Sequence, residues 1–246
     1  MTESAPRCIF LDLFGTVVFF EADRLPRREV AGREIVMTID DIDEVLAELD
    51  SGVSLEAFVA GIREVSAQIA DEKNVGHVEV PSVDRFRRTL AVLGIRDGDG
   101  TLSERLVNSH MSCLAQSVTC PPDRRAVLAD LSRRFPLALV SNFDHAATAR
   151  AILEREQLTS YFDEIVISEE VGICKPHPDI FLHTARALSV EPGDCLHVGD
   201  SEQADIEGAL GAGLRALQVG ENVGPAKHPV LGDIAELNRW LSKTHA

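Results

Sequence analysis

The chain predicts an α/β fold, a parallel sheet covered on both faces by helices and interrupted early by a helical insertion. Three observations carry this expectation. Short apolar runs such as "CIFLD", "PLALVS" and "DCLHVGD" alternate with amphipathic stretches from residue 122 onward. Buried parallel strands read as near-continuous apolar runs, and βαβ units produce this alternation. Residues 21–115 break the pattern, with apolar residues at i, i+3, i+4 spacing and no convincing strand.

Taken in order, "RCIFLD" (7–12) is the first strand. The insertion follows, with helices over "IDDIDEVLAELD", "SLEAFVAGIREVSAQIADEK", "VPSVDRFRRTLAVLG" and "LSERLVNSHMSCL", and a loop at 94–101. "PPDRRAVLADLSRRF" is a helix with proline at its start, and "PLALVSN" is a strand. "DHAATARAILEREQL" is a helix capped by Asp144, and "DEIVIS" is a strand. Next come the helix "HPDIFLHTARALSV", the strand "DCLHVGD", the helix "EQADIEGALGAG" and the strand "LRALQVG". A last helix lies at roughly 233–243. The expected division is a core of 1–20 and 116–246 with an insertion at 21–115, within the reach of a 246-residue chain.

Composition narrows the function. The chain has 24 basic and 40 acidic residues, a formal charge of -16. That argues against a nucleic-acid partner, since neutralising phosphates needs clustered Lys and Arg. The five cysteines (Cys8, Cys113, Cys120, Cys174 and Cys195) show no C-x-x-C spacing, which points to a reducing cytoplasm rather than a disulfide framework. No apolar run approaches the roughly 20 residues a bilayer requires, so no membrane partner is expected. Lysines are scarce: Lys73, Lys175, Lys227 and Lys243.

Polar residues of catalytic type stand where strands end. The first strand ends in Asp12, a later one in Ser141-Asn142, and another in Asp200; Lys175 follows "EIVISEEVGIC". Ligands of open parallel sheets bind outside the carboxyl ends of the strands, so these residues can converge on one pocket. The spacing in "GDSEQAD" brings Asp205 about one helical turn beyond Asp200. Three gathered carboxylates need a divalent cation between them, and all-oxygen ligation suits Mg2+. An anionic substrate is then held by metal, Lys175, the Ser141 hydroxyl beside Asn142, and backbone amides of the loop after Asp12, at Gly15 and Thr16. This is equipment for phosphoryl transfer with Asp12 as nucleophile.

The motifs "DLFGT", "LVSN", "KPHPDIF" and "HVGDSEQAD" resemble, in this order, the four motifs of the haloacid dehalogenase-like hydrolases. The resemblance covers the chain, because the family's type I cap is a helical insertion after the first strand. It implies a Rossmann-like doubly wound core, with 21–115 as the cap, and a small phosphorylated or other anionic substrate. It further implies Asp12 as nucleophile and Mg2+ ligand, the Phe14 backbone carbonyl as a further ligand, and Thr16 and Ser141 as phosphate binders. Lys175 then balances charge, and Asp200 with Asp205 completes the metal site.

One position departs from the pattern. The family's phosphatases carry a second aspartate two residues after the nucleophile; this chain has Phe14. That aspartate protonates the leaving alcohol and then activates water, help typically worth roughly 10² to 10⁴ in rate. Its absence leaves several readings open: a Mg2+-dependent phosphatase with unusual leaving-group demands; a dehalogenase, in which an aromatic residue at this position is usual but the Asp200 and Asp205 carboxylates are not; a relative of the phosphonoacetaldehyde hydrolases, which need a cap lysine; and a degenerate binding module. The nearest candidate for a borrowed acid is His145. The one lysine of the insertion, Lys73, lies in the polar run "ADEKN" and reads as solvated. Arg24, Arg27, Arg28 and Arg33 read as a solvated face beside Glu29 and Glu34. His197 reads as a core histidine with both nitrogens satisfied, His177 as a shaper of the Lys175 loop, and Asn108-Ser109-His110 as cap residues with no evident partner. The glycines of "GALGAG" read as a helix stop and close packing.

Overall fold

Strand β1, Cys8–Leu11, is buried on both faces, every residue at zero exposure, and it is the centre of the molecule's main sheet. The computed structural model describes residues 5–48, 52–220, 226 and 228–244. Lys227 and the end of the "IDDIDEVLAELD" segment lie outside the described residues. The chain divides into two units: Met1–Phe19 with Thr119–Ala246, and Phe20–Val118.

The first unit holds a six-stranded sheet. After β1 come β2 (Leu137–Ser141), β3 (Glu164–Ile167), β4 (Cys195–Gly199), β5 (Arg215–Val219) and β6 (Val230–Leu231). All are parallel, in the order β6-β5-β4-β1-β2-β3. Successive strands run outward from β1 to β3, and the chain then returns to place β4 on the other side of β1. The order therefore reverses between β1 and β4, the switch point at which open α/β sheets bind ligands. Helices α1 (Arg124–Ser132), α2 (Ala146–Arg155), α3 (Pro178–Ala187) and α4 (Leu237–Thr244) flank it. On one face Phe10, Val140 and Val166 pack with Ile180 and Phe181 of α3 and with Ile206 and Ala209.

Two local expectations are corrected. The N-cap position of helix α2 is His145, one residue after Asp144, and its side chain makes no capping hydrogen bond; the Ala146 amide is met by the Glu169 carboxylate. The segment after Asp200 is not a regular helix: it makes a wide π-type turn over Glu202–Glu207 before a short α-helical turn, Gly208–Gly211. The glycine reading holds, since a Cβ on Gly208 would meet the Pro176 backbone at 2.8 Å, and Gly213 takes φ +80.

The second unit is helical over Ile42–Glu48, Leu55–Gly76, Ser82–Val92 and Thr101–Ser117. Phe58, Val65, Phe86, Leu90 and Leu106 form its buried side. The expectation of no strand is overturned, because Arg27–Val30 and Arg33–Val36 make an antiparallel hairpin. Its two turn residues, Ala31 and Gly32, both have positive φ (51 and 74), as a twist-matched two-residue turn demands. Alanine in the first turn position hid the signal. Three of the four arginines on this solvated face are also paired: Arg27 with Glu34 at 3.0 Å, Arg28 with Asp43 and Arg24 with Glu21. Lys73 is likewise engaged, 2.5 Å from the fully buried Glu79 carboxylate, and His110 has a partner in the Thr38 hydroxyl at 2.6 Å. Among the described residues no helix is long and apolar enough to cross a membrane.

Candidate active site

The pairing register fixes which side chains meet. Leu11 lies beside Val198 of β4 and Leu139 of β2. The next residues on each strand, Asp12, Gly199-Asp200 and the Ser141 end of β2, therefore emerge together at the carboxyl edge. The Asp12 amide is anchored on the Val198 carbonyl at 3.0 Å.

Lys175 reaches this edge from the loop after β3 and joins two of the carboxylates. Its Nζ donates to Asp12 Oδ1 and to Asp205 Oδ1, each at 2.6 Å, in a site where all three side chains are buried. Asp12, Asp200 and Asp205 offer oxygens that lie within 4.8 Å of one another. The closeness depends on two glycines. A Cβ on Gly15 would fall 2.3 Å from Asp200 Oδ2, and one on Gly199 would fall 2.2 Å from Asp205 Cγ.

Charge in the site is uneven. Burial pushes Asp12 up to about 7, against the pull of Lys175, with Asp205 and Asp200 adding repulsion. Burial also acts on Asp205, but Lys175 and His197 outweigh it and hold this carboxyl well below the usual range. Burial alone would lower Lys175; the two carboxylates overcome it and keep the ammonium above its ordinary value. Desolvation raises Asp200. Three ionised carboxylates there would carry more negative charge than one lysine balances, and the raised Asp12 and Asp200 reflect that together with their burial. The cluster's donors are all oxygens, the chemistry of a hard divalent cation.

Of the residues expected here, the structure brings Asp12, Lys175, Asp200 and Asp205 into direct contact or proximity. Ser141 and Thr16 are fully buried, and among the described residues their hydroxyls have no hydrogen-bond partner. Two of the expected substrate-contacting residues have hydrogen-bond partners within the protein. The Gly15 N–H donates to the Val18 carbonyl at 2.8 Å and closes the loop. Asn142 uses its amide on the main chain of Lys175, accepting from its N–H at 2.7 Å and donating to its carbonyl at 2.9 Å. It fixes the lysine loop. His177 shapes the same loop as expected, capping α3 by accepting from the Asp179 amide.

Phe14 stacks in a tilted arrangement on Phe143, with ring centroids 4.8 Å apart. His145, the candidate substitute acid, is half-buried and shares a hydrogen with the Thr148 hydroxyl at 2.8 Å through Nδ1. Sequence reasoning missed the supports behind the carboxylates. His197 Nε2 lies 2.9 Å from Asp205 Oδ1, whereas its Nδ1 is unpartnered among the described residues, so only one nitrogen is satisfied. Gln218 donates to the Asp200 carbonyl at 2.9 Å and is itself met by His228. A polar residue inside an apolar strand was the available signal for both.

The family signature of haloacid dehalogenase-like hydrolases matches residues 6–213. N-acylneuraminate-9-phosphatase of Rattus norvegicus is 37% identical over 147 residues, 57% of this chain and 59% of that protein. The chain thus spans about six-tenths of the length of this curated relative. Among solved structures, 2-haloacid dehalogenase from Pseudomonas syringae pv. Tomato superposes with a TM-score of 0.68 at 21% identity, covering 97% of this chain and 99% of the other. A magnesium-bound HAD-hydrolase from Bacillus subtilis gives 0.63 at 19% identity, with coverage of 97% and 99%.

Proposed function

Since this chain belongs to the haloacid dehalogenase-like hydrolase family, we propose that it is a Mg2+-dependent phosphatase acting on a small phosphorylated substrate through Asp12. The observation that carries the reading is Lys175 Nζ held 2.6 Å from both Asp12 and Asp205, in a cluster that Asp200 completes. The phosphatase named among the relatives and the magnesium named for the Bacillus structure support it.

Asp12 attacks phosphorus in line, the P–O bond to the leaving group breaks, and an aspartyl-phosphate forms. Water then attacks that phosphorus, releasing inorganic phosphate and restoring the carboxylate. Lys175 and the Ser141 and Thr16 hydroxyls hold the phosphoryl oxygens as charge develops. Asp12, Asp200, Asp205 and the Phe14 carbonyl would hold Mg2+, which supplies neutralisation of the phosphate charge. Phe14 offers no proton to the departing oxygen and no base to the water. Substrates whose leaving groups depart as stable anions, acyl phosphates above all, are favoured over alkyl esters.

The test is phosphate release from a panel of alkyl, aryl and acyl phosphates, with Mg2+ and with EDTA, beside Asp12→Asn. Turnover that requires Mg2+, ranks acyl above alkyl and vanishes in the variant is expected. A second reading, carbon–halogen hydrolysis, is favoured by the aromatic Phe14 alone; halide release from 2-haloacids without phosphate release would replace the first reading with it.

A further inference from the structure

We propose that His197 is a positioning residue for the cation site, holding the Asp205 carboxylate in the orientation that a divalent ion needs. The inference rests on the cation reading above and extends it to a residue beyond the three carboxylates and the lysine.

His197 sits in the middle of β4 at zero exposure, flanked in register by Phe10 and Ala216. Its ring meets the Phe181 ring edge-on, with centroids 5.0 Å apart. Phe10, Ala216 and Phe181 are neighbours of the kind that suits an apolar side chain. What a histidine adds there is one N–H, and it goes to Asp205. A carboxylate only accepts, so Nε2 is the donor in the 2.9 Å contact with Oδ1.

The other donors to Asp205 show why this one matters. The Ser201 amide holds Oδ2 at 3.0 Å. Lys175 also meets Oδ1, yet the same ammonium serves Asp12, so its position follows both carboxylates. Among the described residues, His197 is the side chain that fixes Oδ1 without also touching Asp12. It does so from inside the sheet, where α3 and β5 hold it. Outer partners of ligating carboxylates typically govern affinity by 10- to 100-fold when removed.

The experiment measures Mn2+ binding to the full chain directly, by the electron paramagnetic resonance signal of free Mn2+, with thermal melting in parallel. His197→Leu keeps bulk and loses the N–H; His197→Gln places an amide N–H near the Nε2 position; His197→Asn is polar but too short to reach. Phe181→Leu disturbs the packing and leaves the hydrogen bond. The expected result is a Kd for Mn2+ weakened 10- to 100-fold in the Leu and Asn variants and largely restored by Gln. Phe181→Leu should melt earlier with unchanged affinity. If the Leu variant does not fold, the Asn and Gln pair decides: equal affinities there overturn the proposal. Wild-type affinity in a folded His197→Leu overturns it alone. Absence of Mn2+ binding by the unmodified protein overturns the cation reading and this inference together.

Discussion

Gly15→Ala should separate the geometry of the site from the stability of the fold. Gly15 adopts φ +89, and an added Cβ would stand 2.3 Å from Asp200 Oδ2, where ordinary contact begins at 3.4 Å. The Asp200 carboxylate must therefore retreat by about 1 Å. Displacements of about 1 Å in a reacting constellation can cost on the order of 10²-fold in rate. The left-handed backbone adds roughly 1–2 kcal/mol of destabilisation for a residue with a Cβ. At roughly 2–4 °C per kcal/mol for a chain of this size, the melting temperature should fall by about 2–8 °C. Gly213→Ala is the matched control, with φ +80 and nothing within 4 Å of the new Cβ. It should lose similar stability and keep its activity. The assay is Mg2+-dependent phosphate release on the best panel substrate, with Mn2+ binding and a melt for each variant. Wild-type turnover and Mn2+ affinity in Gly15→Ala would mean that the cluster does not depend on that close approach.

Two further outcomes are expected. Phe14→Asp supplies the missing acid and base, and should raise turnover of alkyl phosphates by roughly 10² to 10⁴ through both steps, and of acyl phosphates through hydrolysis of the intermediate alone; the lost Phe143 stacking costs about 0.5–1.5 kcal/mol, read in a melt. Asp233 accepts from Arg124 at 2.7 and 2.6 Å, and that guanidinium is only 2% exposed. Burial raises the Asp233 carboxyl, but Arg124 and the Ala235 amide outweigh it and leave it below its usual value. A depressed folded value means the contribution is full above the unfolded value near 3.9 and is lost as pH falls through the folded one. Breaking a fully buried pair costs about 3–5 kcal/mol; with Asp233 itself 43% exposed, Asp233→Asn should cost about 1–2 kcal/mol at pH 7. The gap from wild type should close below about pH 4, followed by urea unfolding across pH.

The parallel sheet was legible because its strands are mostly apolar runs, as in "CIFL" and "LALV", and the central ones stop at a polar residue. The same stops placed Asp12, Ser141 and Asp200, since strand ends share one edge of a parallel sheet. Lys175 stood out by scarcity. What the pattern did not carry was direction. A side chain such as Asn142 looks equally suited to substrate and to main chain, and only the fold shows it turned onto Lys175. Gly15 read as an amide donor, and the fold adds what sequence did not show, that a Cβ there would meet Asp200. The Arg27–Val36 hairpin escaped because its strands are charged on both faces and its turn begins with alanine. His197 and Gln218 lie inside apolar strands, where a lone polar residue gives no hint of which neighbour it serves.

Asp12 as covalent nucleophile leaves a chemical record that trapping its phosphorylated form reads out. The protein is mixed with an acyl phosphate and Mg2+, quenched in acid, reduced with borohydride, and the peptide holding Asp12 is read by mass spectrometry. Because Phe14 cannot activate water, the aspartyl-phosphate should build up and residue 12 should be recovered as homoserine. Recovery of unmodified Asp12 during active phosphate release would contradict a covalent role for Asp12.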